Sequence, residues 1–368
     1  MPGTSLGVSS WPASPAQRGF RSWNYWWQAH VLDCLVDAYL RSPDAERRIR
    51  VARFVNAIRI RNGKDWLNDY YDDMAWLALA LLRAERYVGV RRSGAVSQLA
   101  NALKDGWTDD GGGGVWWRLK DKYDEDFKNV PANGPAAILF ARLHDERGFE
   151  TARWIEATLV DQQTGIVWDG LHLDRDGGIR EIEKAVYTYC QGVYLGACLE
   201  LASWGNDRHP EQWVERAART VTAVATHLTK SDADSDSAAD TATDLSAPAS
   251  SSGSNSGSGL VLRGQGGGDG GLFAGILARY LTQAALTLPE FGRDFAPAAF
   301  LAGELVLGSA RAAWRNRAPA PGGPLFGPDW SQPTASPRTD PKAPERDLSV
   351  QTGGWMLLES AALLARHR

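Results

Sequence analysis

Cysteine is scarce. The chain has three, Cys34, Cys190 and Cys198, an odd count at spacings that give neither a disulfide framework nor a zinc pattern. Reduced, buried thiols are expected. The six histidines are scattered without HxxH or HExxH spacing, so neither a metal nor a cofactor is expected. Positive charge is not in excess: the formal net charge is −4, and no basic stripe is present to release counterions from a nucleic-acid backbone. Nucleic acid is therefore excluded as a partner. No apolar run approaches the roughly 20 residues of a membrane span, so no membrane association is expected. Met1 to Gln17 lacks a basic region followed by an apolar one. It does not read as a secretory leader, and a cytoplasmic location is the expectation.

What the chain does have is tryptophan, 16 of them in 368 residues. A Trp-rich core and an aromatic cleft for carbohydrate both account for that number, because an indole in a core must find a partner for its N–H. The remaining composition, 43% hydrophobic and 23% charged, is that of an ordinary soluble globular protein.

Apolar periodicity predicts about eleven helices of similar length joined by short links. They begin at Trp23, Pro43, the Asp pair described below, Ser93, the end of the stretch Lys128–Pro135, Phe149, Tyr187, Pro210, Gly270, Phe291 and Leu348. A hairpin is predicted at Ile166–Leu173 and Ile179–Val186, where residues alternate around Asp-Gly and Gly-Gly turns. The expected domain organisation is a flexible segment over 1–20 and one domain over 21–368. That domain contains a disordered Ser/Asp/Gly-rich loop at 231–259 and a Pro-rich irregular segment at 318–346. Aromatic and amide residues gather in alternate loops, which fits helical hairpins arranged in a ring with functional loops at one end.

The most informative stretch is Asn68-Asp69-Tyr70-Tyr71-Asp72-Asp73, running into the apolar helix from Met74. Acids are common in a first helical turn because the free N–H groups carry partial positive charge. Two consecutive Asp cannot both be the cap, however. At a helix entrance under a cleft their carboxyl groups can reach one space about 5 Å apart, the separation of nucleophile and acid/base in a retaining glycosidase. Tyr70, Tyr71, Trp66 and Trp76 surround the pair. Aromatic rings offer platforms to sugar faces, and they desolvate a carboxyl group and raise its pKa.

Four further places stand out. They are Tyr25-Trp26-Trp27-Gln28-Ala29-His30; the Gly-rich run ending Val115-Trp116-Trp117; Lys128-Asn129 with Asn133-Gly134-Pro135; and Tyr189-Cys190-Gln191-Gly192. The Gly run is no phosphate loop, since no GK[ST] follows it. A weaker echo is Asp269-Gly270-Gly271-Leu272-Phe273 with Gly275, Ile276 and Arg279. With Tyr70-Tyr71-Asp72-Asp73 and Trp76, these places in this order resemble glycoside hydrolase family 76, the endo-α-1,6-mannanases.

The resemblance implies an all-α (α/α)6 barrel, here with a short β-hairpin insertion. It implies Asp72 as nucleophile and Asp73 as general acid/base of a retaining glycosidase, with α-mannan or a mannose oligosaccharide as substrate. Trp26, Tyr71, Trp116, Trp117 and Tyr189 are candidates to stack on sugar rings, and Asn133 and Gln191 to bond their hydroxyls; core packing or loop anchoring is the competing reading of each. Cys190 departs from the family, which has Asn there, and so removes an amide. Related fungal proteins are thought to transfer glycans, which leaves a transglycosylase or a non-catalytic glycan binder as alternatives.

Overall fold

The computed structural model describes residues 4–19, 22–207, 209–231, 259–335 and 346–367. All but the end residues of the predicted loop at 231–259, and part of the Pro-rich segment, fall outside these residues. In chain order the helices are α1 Pro15–Arg18, α2 Tyr25–Arg41, α3 Ala45–Arg61, α4 Tyr71–Arg83, α5 Ala95–Asp105, α6 Lys120–Tyr123, α7 Val130–Arg142, α8 Arg147–Thr158, α9 Thr188–Trp204, α10 Glu211–His227, α11 Gly270–Thr287, α12 Ala296–Arg315 and α13 Leu348–His367. Apart from the four-residue α1 and α6, these are the eleven helices the periodicity predicts.

Alternate long helices form an inner ring. Around it, α2 packs on α4, α4 on α7, α7 on α9, α9 on α11, α11 on α13, and α13 closes on α2. Helices α3, α5, α8, α10 and α12 lie outside, each against its inner neighbour. The inner helices are buried on nearly all sides, as in α7 from Val130 to Ala141 and α9 from Thr188 to Leu199, which is why they are apolar all round. One stretch, Gly270–Phe291, is by length and composition apolar enough to cross a membrane, correcting the expectation that none is. It contains inner helix α11, and 67% of its most apolar window is buried within the protein.

Small residues set the ring's close contacts. A Cβ on Gly134 would meet Val193 Cγ2 at 2.2 Å, and one on Gly275 would meet Gly353 Cα at 2.7 Å. The glycine of Asn133-Gly134-Pro135 is therefore a packing requirement between α7 and α9.

The strands are short. β1 Ser10–Trp11 pairs with β9 Arg346–Asp347; β2 Phe127–Asn129, β3 Gly170–Leu173 and β4 Ile179–Glu183 form an antiparallel sheet. Two further pairs are β5 Thr229–Ser231 with β6 Leu260–Leu262 and β7 Ala318–Ala320 with β8 Gly323–Leu325. The predicted hairpin is β3–β4, and it gains β2 as a third strand.

The N-terminal segment packs against the ring. Leu6 is 3% exposed. The Gln28 amide of α2 accepts from Gly7 N–H at 3.1 Å and donates to Gly7 C=O at 3.0 Å. Leu348 N–H donates to Ser9 C=O at 3.0 Å at the start of α13. The segment thus ties the first inner helix to the last, where the ring closes.

Candidate active site

The N-termini of the inner helices meet at one end of the ring, and Asp72 and Asp73 lie there in the first turn of α4. Neither carboxylate is the cap; that position is Tyr70, whose side chain makes no capping bond. Asp72 Oδ1 accepts from the N–H of Asp73 at 2.8 Å, and its Oδ2 accepts from Trp117 Nε1 at 3.1 Å. Asp73 Oδ2 accepts from the Asn68 amide, whose own oxygen takes the Tyr70 N–H at 2.5 Å.

The two acids sit in unequal fields. Burial pushes Asp72 up to about 6, against the hydrogen bonds from Asp73 N–H and Trp117 and with Asp269 adding to the rise. Asp73 is pushed well above the usual carboxylate range by burial and then by the charge of Asp72; the Asn68 bond opposes this and Asp269 adds to it. The charge of Asp72 raises Asp73, so of the two it is Asp73 that is driven to keep its proton. Environments that drive two carboxyl groups apart in this way assign them different roles.

The Gly-rich run brings Trp117 to the pair through a buried lysine. Lys128 Nζ donates to the carbonyls of Thr108, Asp110 and Gly113 at 2.9, 2.7 and 2.8 Å and to Thr108 Oγ1 at 3.0 Å. Burial pulls this ammonium down to about 7, while three carbonyls that can only accept hold it charged. The chain then passes Trp116 N–H to Gly106 C=O and Trp117 N–H to Phe127 C=O.

Of the predicted sugar contacts, Trp117 and Trp26 are partly exposed at this end of the ring, and Tyr189 is buried there. Tyr189 stacks on Phe273 at 4.0 Å, and Trp26 lies 6.4 Å from the same ring. The structure corrects four others. Trp116 is 3% exposed and packed against Lys128 and Lys120 at 4.7 and 4.1 Å, so its faces are occupied. Tyr71 is buried with its ring on Gly106, where a Cβ would lie 2.4 Å from it. Asn133 is fully buried, accepting from Val115 N–H at 2.7 Å and donating to Val115 and Asn129 C=O at 2.8 Å each. Gln191, also buried, accepts from Val167 N–H and donates to Val167 and Tyr187 C=O. Both amides are spent on backbone and anchor loops.

Asp169 escaped the sequence reading, which named Asp269 and Asn68 without giving either a role. Asp169, just before β3, is pushed up to about 7 by burial and then by the charges of Glu183 and Asp72. Its Oδ1 lies 3.9 Å from Cys190 Sγ, so the thiol at the position where Asn is usual faces a third carboxyl group. Asp269, before α11, accepts from Trp27 Nε1 at 2.7 Å. Asn68 opened the stretch that drew attention but had no assigned role. The only local signal for Asp169 was Trp168-Asp169-Gly170, which reads equally as a turn.

Beneath the cleft, His30 lies between Trp26 at 5.5 Å and Trp76 at 4.5 Å. Burial pushes its imidazole down to about 3, so it is neutral. A cavity of about 460 Å³ opens at the far end of the ring, lined by Asp33, Asp37, Arg83, Arg142, Glu200 and Arg279 among others. Arg83, at the other end of α4, is ~16 Å along the helix from Asp72. These charged groups pair with one another, which identifies a structural ion-pair network rather than the reacting centre.

Comparison with known proteins bears on the family and the fold. The family model of glycosyl hydrolase family 76 matches residues 2–352. The α-1,6-mannanase GH76A of Salegentibacter sp. HEL1_6 is 30% identical, with 93% of this chain and 90% of that chain covered at a TM-score of 0.74. An inactive variant of that enzyme, with two consecutive Asp replaced by Asn and in complex with α-1,6-mannotriose, matches at 30% identity over 93% of this chain and 90% of that chain, with a TM-score of 0.73. A protein from Listeria innocua is 28% identical over 99% of this chain and 92% of that chain, with a TM-score of 0.72. A search of curated proteins gives no match.

Proposed function

The chain belongs to glycosyl hydrolase family 76, and on that premise we propose that it hydrolyses internal α-1,6-mannosidic bonds of mannan with retention of configuration. The observation that carries this reading is the consecutive, buried pair at the start of α4, with Asp72 bonded by Trp117 and Asp73 by Asn68 and with Asp73 raised by the charge of Asp72. In the first step a carboxylate oxygen of Asp72 attacks the anomeric carbon. The bond to the glycosidic oxygen breaks, and the Asp73 proton passes to that leaving oxygen. In the second, a water molecule gives a proton to Asp73 and attacks the anomeric carbon, releasing Asp72 and regenerating the protonated acid.

Two features support the substrate and the residues. The Salegentibacter enzyme is an α-1,6-mannanase, and the inactive form that holds α-1,6-mannotriose is the one with two consecutive Asp replaced. The half-buried Trp26 and Trp117 offer apolar faces of the kind that sugar rings stack on.

The test is product release from linear α-1,6-mannan by wild type, Asp72→Asn and Asp73→Asn, with the anomeric configuration of the first product read by NMR. Short mannose oligomers of α configuration from wild type, and a loss of several orders of magnitude in both folded variants, are expected. First products of β configuration would end the retaining mechanism. Chains longer than the substrate would replace hydrolysis by transfer.

A further inference from the structure

We propose that Asn68 is the positioning residue of the acid/base: its amide occupies Asp73 Oδ2 and so fixes the transferable proton of Asp73 on Oδ1. The role in catalysis rests on the reading of Asp73 given above; the hydrogen-bond control of its proton does not.

The direction of this bond is determined by a second one. The Asn68 side-chain oxygen accepts from Tyr70 N–H at 2.5 Å, which leaves only its NH₂ to face Asp73. An amide NH₂ donates and cannot accept. Asp73 Oδ2 must therefore present a lone pair in both protonation states, and the acid proton has only Oδ1 to occupy.

The loop that presents Asn68 is braced from three sides. Tyr25 of α2 donates its hydroxyl to Trp66 C=O at 2.5 Å. Asn62 donates to the carbonyls of Asp65 and Leu67 at 3.1 and 2.8 Å. Asp65 Oδ1 accepts from the N–H groups of Trp66 and Leu67 and from Gln98. An amide held this way loses little freedom when it binds a carboxyl group, the preorganisation that a catalytic acid requires.

The groups facing Asp73 are Asp72 from its own helix, Asp269 from the start of α11 and the Tyr25 phenol from α2. Asp72 and Asp269 raise the affinity of Asp73 for its proton, and Asn68 opposes them. Without that opposition Asp73 would hold its proton too firmly to pass it to the leaving oxygen in the first step.

The test compares wild type, Asn68→Ala and Asn68→Asp, the last being isosteric and keeping an acceptor for Tyr70 N–H. The infrared band of the protonated carboxyl group that disappears in Asp73→Asn is titrated in each. A rise of about one pH unit or more in its midpoint is expected in both Asn68 variants, the size of a lost charge-assisted hydrogen bond. The alkaline limb of kcat/KM should move by the same amount, and kcat should fall about 10-fold or more. An unmoved band in a folded Asn68→Asp protein overturns the proposal, whatever happens to kcat. A wild type inert on α-1,6-mannan would instead overturn the substrate reading, and the band would still decide the role of Asn68.

Discussion

Trp117 Nε1 donates to Asp72 Oδ2 at 3.1 Å across 45 residues of sequence. This bond reaches from the end of the Gly-rich run to the carboxylate assigned as nucleophile, and it favours the charged form. Trp117→Phe keeps the ring and removes the donor. Its Asp72 should titrate above the wild-type value of about 6. Since the nucleophile must be ionised, the acidic limb of kcat/KM, expected near pH 6 in wild type, should move up, with about 10-fold lower kcat/KM at pH 6. The pH–rate profile checks this; an unchanged acidic limb would show that the bond does not tune the pair.

Lys128 holds the Gly-rich run by donating to three of its carbonyls and the Thr108 hydroxyl. Lys128→Met preserves the aliphatic stem and leaves those buried acceptors unpaired, at a cost of about 3 kcal/mol. Chemical denaturation measures the loss. Limited proteolysis should then cut within Gly111–Gly114, and activity should fall further than stability alone explains, because Trp117 follows the loop.

At the opposite end of the ring, Arg83 and Arg279 each bridge Asp33 and Asp37. Burial pushes the Asp33 carboxyl up, but Arg279 and Arg83 more than reverse this and hold it at about 2. A folded value below the unfolded 3.8 means stability that is present above about pH 4 and is lost as pH falls through 2. Arg279→Met should cost about 3 kcal/mol at neutral pH, since it leaves buried carboxylates with one cation fewer. Its acid-unfolding midpoint, followed by circular dichroism, should lie at higher pH than that of wild type.

Much of the fold was legible in the sequence because the outer helices carry apolar periodicity and the inner ones are long apolar runs with clear stops. Strand β2 was not, since three residues, Phe127 to Asn129, give no period to read. The docking of the N-terminal segment was hidden for a different reason: its partners, Gln28 and Leu348, are distant in sequence, and its Ser- and Pro-containing composition looks like that of a free end.

In the site, the sequence by itself determined the Asp72-Asp73 pair, its place at a helix start and, through the ordered motifs, the family. It could not distinguish an amide offered to a sugar from one spent on backbone, because Asn133 and Gln191 have the same donors and acceptors in either setting; burial alone decides. Its division into nucleophile and acid rests on the resemblance. Neighbouring Asp residues are chemically identical; what only the closed ring of helices decides is their surroundings, bringing Trp117 onto Asp72 from 45 residues away and Asp269 close enough to raise both.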